Sequence, residues 1–168
     1  LDDFFERPVL IYDDTWATGA EQNLSFAVWD LWSKDASVRA KLSNYAYFRA
    51  DMHVRISISG TPFHYGRTML SYQPYPDFND TLVSYDDMLG AVTPGAAALP
   101  GYKTYLSQAP GVSYVDFKQN QPTEMTLPFI SYKQVFRLWN NAGTLITNAT
   151  SFEDFAEAGD LRVVTLNA

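Results

Sequence analysis

Residues 49–59 alternate strictly between apolar and polar side chains, and this alternation constrains the fold more than any other feature of the chain. The apolar set is Ala50, Met52, Val54, Ile56 and Ile58, and the polar set is Arg49, Asp51, His53, Arg55, Ser57 and Ser59. Successive side chains of a β-strand point to opposite faces, so this period predicts a strand with one face against a core. Turn residues at 60–62 then end the strand.

Short strands are predicted along the rest of the chain as well. We expect them near residues 8–12, 24–32, 50–59, 66–73, 112–118, 123–131 and 160–167. Residues 111–119 and 122–132 are predicted to pair as a hairpin around the polar turn between them, and short helices are predicted within 33–48 and 81–92. Because short strands separated by Gly, Pro and Asn are typical of sandwiches and barrels, the pattern predicts an all-β, antiparallel sandwich with one or two short helices.

Composition and charge narrow the classes of function. The chain contains no Cys, which excludes disulfides and a cysteine nucleophile and favours folding in a reducing compartment. Its net charge is −7 and its Lys and Arg residues form no cluster, so direct contact with nucleic acid is expected to be weak. No apolar run approaches the roughly 20 residues that a membrane helix needs. The acidic start of the sequence predicts the absence of a secretory signal peptide.

The histidines, His53 and His64, both lie within residues 48–67 beside charged side chains. A zinc site needs three or four ligands in close spacing, and no such set is visible. No Gly-x-Ser-x-Gly motif indicates a serine nucleophile. We therefore interpret His53 as facing water or a neighbouring subunit, and His64 as hydrogen-bonded within the turn. No metal and no cofactor is expected.

Four stretches follow one another along the chain in an order known from one family. They are RPVLI, WDLW, FRADMHVRISISGTPFHYGRTMLSYQP and LSQAPGVSYVDFKQNQPTEMTLPFISYK. Together they resemble the picornavirus-like capsid proteins, most closely those of dicistroviruses, iflaviruses and marine algal RNA viruses. The resemblance implies an eight-stranded jelly roll, lettered B to I, in which the expected strands are B to H. Strand I, which lies between B and D in the family, is expected to be missing, so that two strand edges lack a partner.

A structural function follows from this resemblance. It implies one jelly-roll capsid domain over residues 1–168 with an N-terminal arm at 1–7, in a pseudo-T=3 icosahedral shell around a positive-strand RNA genome. The implied partners are the other major capsid proteins of the same virus and a small internal capsid peptide. Contact with the enclosed RNA is expected to be weak or indirect. The implied location is the virion, assembled in the host cytoplasm, and no enzyme is expected.

Adjacent acidic residues are the remaining candidates for chemistry. They are Asp2-Asp3, Asp13-Asp14 and Asp86-Asp87. Neighbouring carboxylates can raise one pKa and supply a general acid or base, although most such pairs are solvated loop acids. The first pair resembles the Asp-Asp-Phe motif of dicistrovirus and iflavirus capsid proteins, which is proposed to assist cleavage of the internal peptide from its precursor. By that resemblance Asp2 or Asp3 acts as a base and Phe4 anchors the loop; the alternative is a simple acidic arm.

A carbohydrate-binding β-sandwich module is the alternative function. Trp29 and Trp32 are predicted on one strand with their rings on opposite faces, one in the core and one at a surface. An exposed Trp can form a sugar platform, but protein interfaces use Trp as readily. A jelly-roll hydrolase is a third reading, and it would need two carboxylates facing each other across a groove.

Overall fold

The computed structural model describes residues 2–61, 63–75, 100–119, 121–138 and 153–167. The strands in these ranges are β1 (Asn23–Phe26), β2 (Tyr47–Phe48), β3 (Met52–Ile56), β4 (Arg67–Pro74), β5 (Ser113–Asp116), β6 (Thr123–Leu127), β7 (Phe136–Arg137) and β8 (Gly159–Asn167). The helices are α1 (Asp2–Phe5), α2 (Val28–Lys34), α3 (Ala36–Leu42), α4 (Pro100–Ser107) and α5 (Glu153–Ala156). The helices are short, as expected, and more numerous than the sequence indicated.

One antiparallel sheet contains four strands in the order β1-β8-β4-β5. The long strands β4 and β8 form its centre, where Leu70 lies opposite Val163 and Tyr72 opposite Leu161. Strand β1 pairs with the other edge of β8, which places Leu24 beside Val163. Since these paired residues share one face, the sheet presents a continuous apolar surface to the interior.

The strand at residues 49–59 belongs to a second sheet, in which β3 pairs with β6 in an antiparallel ladder. Val54 lies opposite Met125 and Met52 opposite Leu127, so the apolar positions of the two strands share the inner face. The inner residues of β6 are buried, whereas those of β3 are only half-buried. The predicted alternation of residues 49–59 is confirmed. The inner side chains of β3 nevertheless remain partly exposed to solvent.

These two sheets and a third, in which β2 pairs with β7, contribute to one apolar core. Its largest fully buried side chains include Trp29, Phe136 and Phe155, whose rings meet in edge-on or stacked contacts. The ring centroids of Phe136 and Phe155 are 5.1 Å apart at an interplanar angle of 81°. Aromatic pairs of this geometry stabilise a core by about 0.5–1.5 kcal/mol beyond their buried area.

The opposite face of the four-stranded sheet is covered by helix α4. Tyr102 and Leu106 of this helix form a small second core with Met69 and Val164. The Ser71 hydroxyl donates a hydrogen bond of 3.1 Å to the carbonyl of Leu106. Helix α4 therefore seals the sheet from solvent on this side, an element that the sequence did not indicate.

The predicted strand at 24–32 is wrong beyond Phe26, because residues 28–34 form helix α2. The Asp30 carboxylate pairs with Lys34 one helical turn later at 2.6 Å, a spacing that only a helix brings together. Asp35 then caps the next helix, α3, by accepting hydrogen bonds from the backbone amides of Ser37 and Val38 at 2.9 and 3.1 Å. Helix α3 lies within the segment where a short helix was predicted.

The predicted hairpin between residues 111–119 and 122–132 is also wrong. Strand β5 pairs with β4, and β6 pairs with β3 in the other sheet. The turn between them therefore carries the chain from one sheet to the other. A local sequence pattern identifies strands and turns, but it does not specify which strand each one pairs with.

Residues 8–12 form no strand, which corrects the expectation of a first strand there. Val9 and Ile11 nevertheless pack against the main core. Within the described ranges, β3 has no ladder partner besides β6. The side chains of Val9 and Ile11 thus pack against the core, although the backbone of residues 8–12 pairs with no strand among the described residues. The helical turns predicted at 81–92 lie outside the described residues.

Candidate assembly surfaces and the N-terminal helix

The Asp-Asp-Phe stretch forms the short helix α1, which is attached to the core by its aromatic residues. The ring of Phe5 lies 5.8 Å from that of Trp32 and 6.1 Å from that of Phe48. The ammonium group of Lys41 lies 5.3 Å from the centre of the Phe4 ring. Residues 2 and 3 lie in this helix, but their side chains are outside the described part of the chain.

Trp29 and Trp32 do not form an exposed platform. Trp29 is buried and Trp32 half-buried, and both lie on helix α2 rather than on a strand, which corrects their predicted opposite orientation. The Trp29 indole donates a hydrogen bond of 3.1 Å to the Tyr72 hydroxyl, which donates to the carbonyl of Ala158, also at 3.1 Å. Burial raises the pKa of Tyr72 above its usual value. This chain of hydrogen bonds is structural.

The histidines occupy the positions predicted for them. His53 lies on the exposed face of β3, where its Nδ1 atom is 3.0 Å from the Thr126 hydroxyl. His64 closes the turn after β3, because its Nδ1 atom accepts a hydrogen bond of 3.0 Å from the backbone amide of Thr61. Among the described residues, no three His, Asp or Glu side chains gather as metal ligands would. The predicted exposure of His53 and the predicted hydrogen bond of His64 within its turn are confirmed.

The acidic pair at Asp13-Asp14 is a loop feature. Asp14 accepts hydrogen bonds from the Tyr12 hydroxyl at 2.8 Å and from the Thr15 amide at 2.7 Å. The hydrogen bond from Tyr12 lowers the pKa of Asp14, and the Thr15 amide adds to this effect. A carboxylate held in its ionised form on an exposed loop is a poor general acid. Residues 86–87 lie outside the described ranges.

A buried carboxylate that the sequence analysis missed is Asp154 of helix α5. Only 7% of its side chain is exposed, and it forms an ion pair with the Lys133 ammonium group. Its second oxygen accepts a hydrogen bond of 2.7 Å from the backbone amide of Arg137. The pair thereby holds the segment before β7 against α5. Its partners are 21 residues apart, so no local motif signals it.

Exposed apolar side chains identify the surfaces best suited to association. The described residues with such side chains are Leu10, Tyr12, Tyr45, Tyr47, Phe63, Tyr65, Tyr105, Tyr114, Ile130 and Tyr132. Phe63 and Tyr65 are 91% and 75% exposed and share the turn between β3 and β4. Tyr132 is 67% exposed, and its ring lies 5.6 Å from that of Tyr75. Tyrosine-rich surfaces are frequent at protein interfaces.

The arrangement defines a class of protein. A four-stranded antiparallel sheet and a smaller sheet pack on one core, and the chain passes from one sheet to the other between consecutive strands. This is the arrangement of a jelly-roll β-sandwich. Among the described residues, no helix has both the length and the apolar character needed to cross a membrane.

Comparison with protein families assigns residues 6–151 to "picornavirus capsid protein". The chain belongs to this family, and it is accordingly a structural capsid protein found in the virion. It is 32% identical over 98 residues to the structural polyprotein of acute bee paralysis virus (strain Rothamsted), a match that covers 58% of this chain and 9% of that protein. It is 24% identical over 147 residues to the structural polyprotein of cricket paralysis virus, covering 86% and 15% of the two chains.

Solved structures share the fold. A chain of black queen cell virus superposes with a TM-score of 0.72 at 18% identity, over 98% of this chain and 62% of that one. A chain from a marine algae virus of the order Picornavirales gives a TM-score of 0.69 at 22% identity, over 98% and 61%. The expected jelly-roll capsid fold is confirmed. These similarities are to capsid proteins, and they give no support to the carbohydrate-binding alternative.

Proposed function

We propose that this chain is one of three related jelly-roll subunits of a pseudo-T=3 icosahedral shell around a positive-strand RNA genome, assembled in the host cytoplasm. The observation that carries the proposal is the combination of capsid-family membership with a surface rich in exposed aromatic side chains. Aromatic residues, Tyr among them, are enriched at protein interfaces, and a shell subunit would bury such side chains against its neighbours. The chain spans only 9% and 15% of the structural polyproteins it matches, so its partners come from the rest of such a polyprotein.

The single domain proposed here covers residues 1–168, with residues 1–7 as its N-terminal arm. The packing of Phe5 against Trp32 and Phe48 supports an arm whose first helix is docked on its own domain. Among the described residues β3 pairs only with β6, and its other edge offers a further contact to a neighbouring segment, because an open edge presents backbone donors and acceptors.

Contact with the enclosed RNA is proposed to be weak or indirect. The net charge of −7 opposes the approach of phosphate groups, and neutralisation of a phosphate backbone requires clustered Lys and Arg. The positive charge that condenses the genome is therefore supplied by other segments of the particle.

A maturation function is proposed for the N-terminal helix. Asp2 or Asp3 acts as a base during release of the small internal capsid peptide, and Phe4 anchors the loop. The contact of Phe4 with Lys41, together with the docking of Phe5, supports a fixed position for this helix. Particles carrying Asp2→Asn and Asp3→Asn are expected to retain uncleaved precursor, measured by gel electrophoresis, whereas an Asp13→Asn control matures normally. Equal cleavage in both would reject this function and leave the shell function intact.

The proposed shell function can be tested by mixing the purified chain with its proposed partner proteins and measuring the size of the complexes. Purified chain combined with the other capsid proteins of the same virus is expected to sediment as a larger complex than any component alone. Substitution of exposed tyrosines tests whether they form the contacts. The double variant Tyr47→Ser/Tyr132→Ser is expected to weaken this association, since both side chains are more than half exposed. A chain that stays monomeric with every partner would contradict the proposal.

A further inference from the structure

A cavity of about 290 Å³ lies at one end of the sandwich, between two turns that are distant in sequence. One wall is the turn at residues 16–20, and the other is formed by residues 58–60 and 63–65, with Phe117 closing one side. Its volume is near the lower end of the range for small-molecule sites, roughly 300–1,000 Å³. The capsid function described above assigns no ligand to this cavity, although Phe63 and Tyr65 in its lining also belong to the exposed apolar set.

The first wall is preformed by its own hydrogen bonds. The Trp16 indole donates to the carbonyl of Ala20 at 2.7 Å, and the Ala20 amide donates to the carbonyl of Ala17 at 3.2 Å. Gly19 adopts a φ of +76°, which allows the chain to reverse within these few residues. Trp16 is therefore held by the backbone of its own turn. A ring fixed in this way loses little conformational freedom when a ligand contacts it.

The second wall is fixed in the same manner. The His64 amide donates to the carbonyl of Thr61 at 3.0 Å, while the His64 ring accepts from the Thr61 amide. Phe117 joins the two walls, since its ring centroid lies 4.9 Å from that of Trp16 at an interplanar angle of 71°. The two rings form a corner that presents one aromatic face and one aromatic edge, a shape that accepts a third flat ring.

The side chains that line the cavity indicate which class of ligand it can bind. Among the described lining residues there is no Lys, Arg, Asp or Glu, so the site favours a neutral molecule. The polar side chains of its described lining include the hydroxyls of Thr18, Ser59 and Tyr65 and the imidazole of His64. Phe63, which is 91% exposed at the rim, would lose its contact with water if a ligand filled the cavity.

We propose that this cavity is a binding site for a small, neutral, flat aromatic molecule that carries one hydrogen-bonding group. The ring stacks in the corner between Trp16 and Phe117 beneath Phe63, and its polar group meets the hydroxyls or the imidazole of the lining. The site is independent of the proposed maturation function, since α1 contributes no residue to it.

Indole is a suitable probe, and its binding can be followed by ¹H–¹⁵N NMR of the 168-residue chain. Saturable shifts of the Trp16 indole N–H signal and of the amides at 58–65 are expected, with a dissociation constant of about 1 mM for so small a ligand. Phe63→Ala is expected to weaken binding about fivefold, because one ring contact is lost. Tyr132→Ala is the matched control, since Tyr132 is exposed but lies outside the cavity, and its affinity should equal that of the wild type.

The proposal is overturned if indole gives no saturable shift up to about 10 mM, a concentration well above the expected constant. It is also overturned if Phe63→Ala and Tyr132→Ala bind indole equally well. Binding to the free chain that disappears in assembled particles would contradict a ligand site as well, because a neighbouring subunit would then fill the cavity.

Discussion

The backbone of Gly159 runs so close to Tyr72 that a β-carbon at Gly159 would lie 2.6 Å from the Tyr72 hydroxyl oxygen. It would also lie 2.7 Å from the carbonyl oxygen of Gln73, and the φ of Gly159 is +151°. The glycine opens β8 immediately after Ala158, whose carbonyl accepts the hydrogen bond from Tyr72. This close approach fixes the start of the long central strand against β4.

Gly159→Ala is expected to destabilise the chain by about 2–4 kcal/mol, since it combines a steric clash with an unfavourable backbone conformation. Gly101→Ala is the control, because Gly101 lies in helix α4 and a β-carbon there would meet nothing within 4 Å. That change should be neutral or stabilising by up to about 1 kcal/mol. Thermal unfolding followed by circular dichroism measures both, and equal melting temperatures would contradict the packing described at Gly159.

Tyr72→Phe is expected to cost about 1–3 kcal/mol, because it leaves the buried indole N–H of Trp29 without its acceptor. Tyr114→Phe is the matched control. Tyr114 lies on the neighbouring strand β5 with 47% of its surface exposed, so its change should stay within about 0.5 kcal/mol. Urea denaturation curves of the two variants would give the comparison. A loss for Tyr72→Phe no larger than that for Tyr114→Phe would show that the hydrogen-bond chain contributes little.

The ion pair of Lys133 and Asp154 predicts a specific dependence of stability on pH. The hydrogen bond to Asp154 raises the pKa of Lys133 above its usual value of 10.5, so the pair stabilises the folded state below that pH. Its contribution is lost as the pH rises through the folded-state pKa. Wild type should therefore lose stability more steeply than Lys133→Met as the pH rises above the usual Lys pKa of 10.5.

Ionisation of tyrosines also lowers stability in this pH range. The contribution of the ion pair is therefore measured as the difference between the slopes of wild type and variant. Burial raises the pKa of Tyr72, and this lowers stability at high pH in wild type and variant alike. Lys118→Met, which removes an ammonium group on the exposed loop after β5, should keep the wild-type slope. Parallel slopes for wild type and Lys133→Met would contradict the assigned function of the pair.

Phe5→Ala is expected to release helix α1 from the core, since Phe5 contacts both Trp32 and Phe48. Limited proteolysis should then cut the N-terminal arm several times faster, while the rest of the chain stays resistant. Arg7→Ala is the control, because Arg7 is exposed beside the same helix. Equal cleavage rates would mean that the aromatic contacts do not hold the arm.

The sequence predicted strands well where one face alternates, and poorly where the chain is apolar on several sides. Residues 49–59 were identified correctly because their period is strict. Residues 28–32 were misassigned to a strand because Val28, Trp29 and Trp32 continue the apolar character of β1. The i, i+4 pair of Asp30 and Lys34 was the local signal for a helix there.

Strand pairing and long-range contacts could not be predicted from local sequence patterns. The partner of β6 is β3, which precedes it by some seventy positions, since Thr126 contacts His53 at a separation of 73. The Lys133–Asp154 pair and the two-walled cavity likewise depend on segments that meet only in the folded chain. The N-terminal motif, in contrast, was visible in the sequence, and the structure adds the aromatic contacts that position it.

The most direct test of the proposed shell function is electron microscopy of particles from the native source, combined with mass spectrometry of their proteins. The account predicts uniform icosahedral particles that contain this chain beside two other jelly-roll capsid proteins. A native preparation in which the chain occurs alone, as a monomer without such partners, would contradict it.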